Sequence, residues 1–170
     1  MSSKYDWTKF TRTIRIEAPV NRVYQALTVP EQLENWFLKY ANYYDKEGKL
    51  RDKHEAFQKG DQYAWKWDTS SHIERGEVTE ANGKDTITFT FADGCVVSYK
   101  LTEVDDGTKF DLIQSNIGVD EDSQYNVYNG CSLGWAFWMV NLKAWLEHGI
   151  NLSEKQLELA GGNNYEVVNA

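Results

Sequence analysis

The sequence is short of the residues that build covalent and metal frameworks. Its two cysteines, Cys95 and Cys131, match no metal-ligand or redox spacing and are read as inert thiols on apolar faces. Its three histidines, His54, His72 and His148, are scattered. His54-Glu55 and His72-x-Glu74 do not supply the three or four ligands of a zinc site, and the Pro-Cys-x-x-Cys of a zinc deaminase is missing. No metal and no cofactor is therefore expected. Glycine-rich phosphate loops are absent, and Ser70 and Ser71 lie in no nucleophile-elbow sequence, so no catalytic residue is assigned. Basic residues are outnumbered, 18 Lys plus Arg against 26 Asp plus Glu, and the resulting net charge of −8 disfavours nucleic acid and anionic membrane surfaces. No apolar run approaches membrane-spanning length and MSSKYDWTKF has no signal-peptide character, which makes a cytoplasmic location the default expectation. With only two prolines and 41% hydrophobic residues, a disordered chain is excluded.

What the sequence has in quantity is aromatic side chains, 14% of its 170 residues. A chain of this length is expected to form one domain over 1–170, with a core at about 8–152 and a peripheral tail at 153–170. The most organised stretch runs from Ser123 to Gly149 and reads as one long helix. At 100° per residue, Tyr128, Cys131, Trp135, Trp138, Met139, Leu142, Trp145 and Leu146 form a single apolar stripe. Asp120, Glu121 and Asp122 suit its N-terminal end, and His148-Gly149 its C-terminal end. Such a helix is about 40 Å long, enough to cross a small sheet.

Ahead of it, Phe10 to Ala18 alternates as a strand, with Ile14, Ile16 and Ala18 on one face. Two short helices follow, Asn21–Leu27 and Glu31–Phe37, with Thr28 as a candidate cap for the second. Leu38 to Gln62 is irregular apart from a candidate helical turn at Arg51–Phe57, and is either part of a cavity mouth or a surface loop. From Tyr63 the period changes to two. Tyr63, Trp65 and Trp67 share a face, a strand covers His72–Glu80, and Ile87, Phe89 and Phe91 continue the pattern. After an Asp93-Gly94 hairpin signal come Cys95, Val97, Tyr99 and Leu101, then Phe110, Leu112 and Gln114. The order is one strand, two short helices, five or six antiparallel strands and a long helix. A sheet with one apolar face needs a cover, and only the last helix is long enough to provide it.

These residues resemble the START-like, helix-grip superfamily, and specifically the group similar to the C-terminal domain of the activator of heat-shock protein 90 ATPase. The opening APVNRVYQALTVPEQLENWF carries the resemblance through Pro19, Val23, Ala26, Leu27, Thr28, Pro30, Leu33 and Trp36. GDQYAWKW, RGEV, GTKFDL and GCSLGWAFWMVNLKAWLEHG carry it through the rest, over about residues 8–152. The resemblance implies an α+β helix-grip fold: a curved antiparallel sheet wrapped around a long C-terminal helix, with two short helices after the first strand and a cavity between sheet and helix. In the wider superfamily that cavity takes lipids, sterols, polyketides or plant hormones, and in some branches supports catalysis. The separate N-terminal domain of the eukaryotic chaperone activators has no counterpart in these 170 residues, which sets ATPase activation behind ligand binding.

The expected ligand-binding residues are Tyr63, Trp65, Phe89, Tyr99, Phe110, Leu112, Gln114, Trp135, Trp138 and Met139. Tyr99 and Gln114 supply the polar groups that orient a ligand. The space is placed at the N-terminal half of the last helix, where Gly130 and Gly134 leave gaps, and Met139 is favoured over Gly134 as the position at which to fill it. The leading reading is non-enzymatic binding of a small hydrophobic molecule. The alternatives are an enzyme of the same fold, of cyclase or hydrolase type, and a module that binds a chaperone. A second apolar line, Leu133, Phe137, Val140 and Ala144, is either covered within the fold or forms a homodimer interface.

Overall fold

The computed structural model describes residues 5–155 and 168–169. Its elements are β1 (Phe10–Ile16), α1 (Val20–Thr28), α2 (Pro30–Trp36), β2 (Tyr40–Tyr44), β3 (Gln62–Lys66), β4 (Glu74–Ala81), β5 (Thr86–Phe91), β6 (Cys95–Val104), β7 (Gly107–Ser115), a π-helical segment (Ser123–Asn129) and α3 (Gly130–His148). The strands form one open, curved antiparallel sheet of seven in the order β1-β7-β6-β5-β4-β3-β2. The chain's first strand therefore pairs with its last, and the later strands run out as a meander. Among the described residues no helix is long and apolar enough to cross a membrane.

Alternation decides the concave face. Cys95, Val97, Tyr99 and Leu101 on β6 and Thr108, Phe110, Leu112 and Gln114 on β7 are all buried. Register puts Tyr99 between Ile87 on one side and Leu112 on the other. On β1, Phe10 and Ile16 are buried and Ile14 is half-buried at the sheet's edge. Gly76 is required by a close approach: a Cβ there would stand 2.6 Å from the Tyr63 ring, whose hydroxyl donates to the Thr90 carbonyl at 2.6 Å.

α3 lies along the sheet against β1 and α2. Of its stripe, Tyr128, Trp135, Trp138, Met139 and Leu142 are buried, while Cys131, Trp145 and Leu146 are half-buried. The helix stops at Gly149, whose φ of 67° only glycine adopts at little cost; its N–H and that of Ile150 turn back onto the carbonyls of Trp145 and Ala144. Asp120 receives the Ser123 amide at 2.9 Å and the Ser123 hydroxyl at 2.6 Å at the other end. Those two bonds, the hydroxyl's first, hold its carboxyl below the usual range. Asn141, fully buried in α3, donates to the Trp36 carbonyl and to Asn151 and accepts from the Leu152 amide, so the chain beyond the helix is sewn back to α2.

Several expectations need correction. The stretch from Ser123 is not uniformly α-helical, because its first seven residues wind as a π-helix. Tyr40–Tyr44 is an edge strand, paired with β3, where an irregular connection is expected. Its burial alternates, with Ala41 and Tyr43 inward and the other three side chains half-buried, but the residues YANYY carry no matching alternation of apolar and polar types. Arg51–Phe57 forms turns and no helix, its shape held by a salt bridge from Arg51 to the buried Asp61. Thr28 does not cap α2: its hydroxyl donates to the Tyr24 carbonyl at 2.8 Å inside α1, and Val29 takes the cap position. β4 begins at Glu74, two residues later than expected. The expected helix after Ser153 and the fraying of the last ten residues fall largely on 156–167 and 170, outside the described residues.

Lys143, a neighbour off the stripe, is not inert, since its ammonium donates to the Arg15 carbonyl at 2.9 Å and pairs with Glu147. The burial of the inner face of α3 is therefore tested against an exposed leucine elsewhere in the fold. Leu142 is 0% exposed and Leu50 is 49% exposed. Leu142→Ala is expected to cost roughly 2–5 kcal/mol and Leu50→Ala under about 1 kcal/mol, read as shifts in denaturant midpoint. Equal shifts would refute this packing of α3.

Candidate ligand-binding site

The aromatic side chains of the concave face fill most of the space under α3. Trp65 meets Phe89 edge-on at 5.2 Å, Phe89 meets Tyr99 at 5.2 Å, and Tyr99 meets Phe110 at 5.1 Å. Edge-to-face pairs of this kind are favoured by the ring quadrupole and lock their members in place. Tyr63 is tied to the Thr90 carbonyl, the Trp65 indole donates to Tyr43, and Leu112 and Met139 are buried in the same core. Tyr99 is packed against Phe89, Phe110 and Trp135.

The packing opens at the N-terminal end of α3. A cleft of about 250 Å³ lies there, lined by Phe37, Trp67, Phe91, Asn126, Gly130, Cys131, Gly134, Trp135 and Trp138. Phe37, at the end of α2, is its hub: it stacks on Trp36 and meets Trp65, Trp67 and Trp138 edge-on at 5.2–5.6 Å, with Trp135 at 5.8 Å. Phe91 closes the opposite side, 5.2 Å from Trp135. Asn126 and Gly130 are exposed at the mouth, and Trp67, Phe91, Cys131 and Gly134 are half-buried. A Cβ on Gly130 or Gly134 would meet no atom within 4 Å apart from the helix's own adjoining backbone. Neither glycine is demanded by close packing, although glycine inside a helix costs about 1 kcal/mol relative to alanine.

Of the ten expected residues, Trp135 and Trp138 line the cleft; Tyr63, Trp65, Phe89, Tyr99, Phe110, Leu112 and Met139 lie in the packed layer. Gln114 stands behind the wall. It is fully buried, and its Oε1 accepts the Trp135 indole N–H at 2.8 Å. Its amide nitrogen lies beside the thiols of Cys95 and Cys131, weak acceptors, and makes no hydrogen bond of standard geometry. The Trp67 indole N–H is likewise buried and unpartnered. A donor left in that state costs about 1–3 kcal/mol. Burial pushes the Cys131 thiol up from its ordinary value, offset in part by Gln114, so the thiol stays protonated. No carboxylate, imidazole, ammonium or guanidinium lines the cleft. Among the described residues no three His, Cys, Asp or Glu side chains converge as metal ligands would.

Phe37 and Asn126 are the lining residues that sequence reasoning missed, and Trp67, Phe91 and Cys131 stood outside the expected set; of these Phe37 is the most central. Its periodicity marks it as buried in a short helix, and nothing local says that the end of α2 delivers it to the sheet. Trp67 and Phe91 were legible as inward-facing by alternation. Met139 lies outside the lining and enlarging it would overpack the core, so Gly134 is the position at which a new side chain enters the space.

An open antiparallel sheet curved around a long C-terminal helix, with a helix pair after the first strand and a cleft under the helix, defines the START-like helix-grip class. Within it, the model of the family described as Activator of Hsp90 ATPase homolog 1-like protein matches residues 17–147, and the chain belongs to that family. Solved structures agree on the fold. The protein SSP2350 from Staphylococcus saprophyticus superimposes with a TM-score of 0.69 at 16% identity, over 85% of this chain and 95% of that one. The Aha1 dimer from Colwellia psychrerythraea gives 0.67 at 22% identity, over 83% and 97%. DynU16, from the dynemicin biosynthetic locus, gives 0.66 at 19% identity, over 87% of this chain and 50% of that one. No curated protein matches the sequence.

The uncrowded glycine has a measurable consequence. Gly134→Ala is expected to stabilise the protein by about 0.5–1 kcal/mol, because it restores helix propensity without a clash. A lowered denaturant midpoint would show that the space at Gly134 is not open.

Proposed function

We propose that the protein binds a small hydrophobic molecule, without chemical conversion, in the cleft between α3, the end of α2 and the C-terminal ends of β3 and β5. The observation that carries this reading is the open space beside Gly130 and Gly134, walled by aromatic rings. Small-molecule sites are concave and mostly apolar, with a few polar groups for orientation. The lining offers no general acid–base pair, which favours binding over a cyclase or hydrolase reaction.

A second reading concerns assembly. Leu133 and Val140 on the outer side of α3 are 66% and 49% exposed, and one similar structure is a dimer. These residues suit a homodimer contact between copies of α3, one of the two roles expected for the second apolar line. A chaperone is a further partner suggested by the family's description.

Binding is tested by titrating neutral aromatic compounds against tryptophan emission and melting temperature. Trp67, Trp135 and Trp138 surround the space, so an occupant is expected to give a saturable change in emission and a raised melting temperature. Gly134→Leu, which projects a side chain into the cleft, is expected to abolish both responses while the protein remains folded. Absence of any saturable change across a broad panel would remove the binding reading.

A further inference from the structure

Among the described residues, one side of α3 is left uncovered. Leu133 and Val140 are exposed there with Phe137 and Ala144 half-buried beside them, and spacings of four, three and four set all four on one line. The Phe137 ring meets Trp138, a wall of the cleft, edge-on at 4.9 Å, so this line borders the cleft. A hollow lies next to it at Gly130, which is exposed at the cleft mouth and where a Cβ would meet no atom within 4 Å apart from the helix's own adjoining backbone. From Ser123 to Leu142 no side chain is charged, in a protein whose net charge is −8. Two copies of such a protein repel over most of their surface and come together most readily where charge is missing. The two ends of the helix differ in charge: Asp120, Glu121 and Asp122 stand at its start, and Lys143 and His148, with Glu147 between them, at its end.

We infer that α3 pairs with the α3 of a second copy of this chain, antiparallel about a two-fold axis near Trp135, with Val140 of each copy seated over Gly130 of the other. This inference rests on the homodimer reading of the outer face and gives it a direction and a register. A parallel pair would set three carboxylates against the same three, whereas an antiparallel pair brings them beside Lys143 and His148 and sets the helix dipoles antiparallel. A two-fold interface must also complement itself, because each residue meets its counterpart twice. With Leu133 facing Phe137, Val140 falls on Gly130, Ala144 on Asn126 and the His148 imidazole on the Asp122 carboxylate, so a protrusion meets the hollow. A shift of one turn in one direction sets Leu133 against Asn141, which is fully buried, and in the other sets Val140 against the Asn126 amide. In the favoured register the partner's Val140 becomes part of the rim of the cleft, because Gly130 lines its mouth.

Sedimentation of the full chain over a range of concentrations is expected to show a dimer. Leu133→Glu or Val140→Glu, each at an exposed position, is expected to raise the dimer dissociation constant about 10-fold or more, with circular dichroism unchanged. Direction and register are read by cross-linking. The double variant Gly130→Cys with Val140→Cys is expected to form a covalent dimer on mild oxidation, its link between positions 130 and 140 identified by mass spectrometry, whereas Val140→Cys alone is expected to form none. Within one helix these positions lie about 15 Å apart, beyond the reach of a disulfide, so the link reports two copies. The pair Asn126→Cys with Ala144→Cys, one turn further out, tests the same register should the first variant fold poorly. A dimer that gives neither link, or that links through two copies of position 140, would overturn this arrangement and leave the homodimer reading standing. A dimer that both glutamate variants leave intact uses another face, and a chain that stays monomeric at every concentration uses none; either result would overturn the homodimer reading and this inference together.

Discussion

The hydrogen bond from the Trp135 indole to Gln114 joins the helix to β7, the strand next to the sheet's β1 edge, and much of the structure depends on it. Gln114 sits fully buried on β7, opposite Phe10 of β1 and Val97 of β6, where a polar side chain needs a partner. Trp135 supplies one for its oxygen. That bond holds α3 in the rotation that also buries Trp138, Met139 and Leu142 in the core. It also fixes the plane of the Trp135 ring, which is packed layer on one side and cleft wall on the other.

The same arrangement explains why the interior is full in one place and open in another. Trp65, Phe89, Tyr99 and Phe110 pair edge-on from strand to strand, with Tyr63 edge-on to Phe89, and each ring supports the next. Beyond Phe91 that succession ends at the sheet's turn, and the facing helix offers Gly130 and Gly134 in place of bulky residues. The π-helical segment just before them widens the helix at the same end and carries Asn126 at the mouth. Such segments are uncommon and recur at functional sites. The cleft is thus bounded by a rigid aromatic layer within and by the least regular part of the helix without.

The anchoring of the short helices belongs to the same economy of polar groups. The Trp36 indole donates to the Ala26 carbonyl at 3.1 Å, tying α2 to α1, and the Trp36 carbonyl accepts from Asn141 of α3. Phe37 is the next residue. Its position at the centre of the tryptophans is therefore set by three helices together.

How much was legible can be judged residue by residue. Alternation along β5, β6 and β7 and the stripe on α3 are periodic over long enough spans for hydrophobic burial to leave its mark in the sequence. Gly149 announces the end of α3 because a backbone carbonyl and a left-handed φ there depend on local chemistry alone. The edge strand Tyr40–Tyr44 was not legible, since it is paired on one side and its burial follows from the loop folded beside it. Nor was the division of the aromatic residues into packed layer and cleft wall. Periodicity states which way a side chain faces, and Trp65 and Trp67 face the same way. Only the tertiary structure decides that Trp65 is enclosed while Trp67 is left half-open beside two glycines, because that outcome depends on which rings arrive from α2 and α3 to fill the space between.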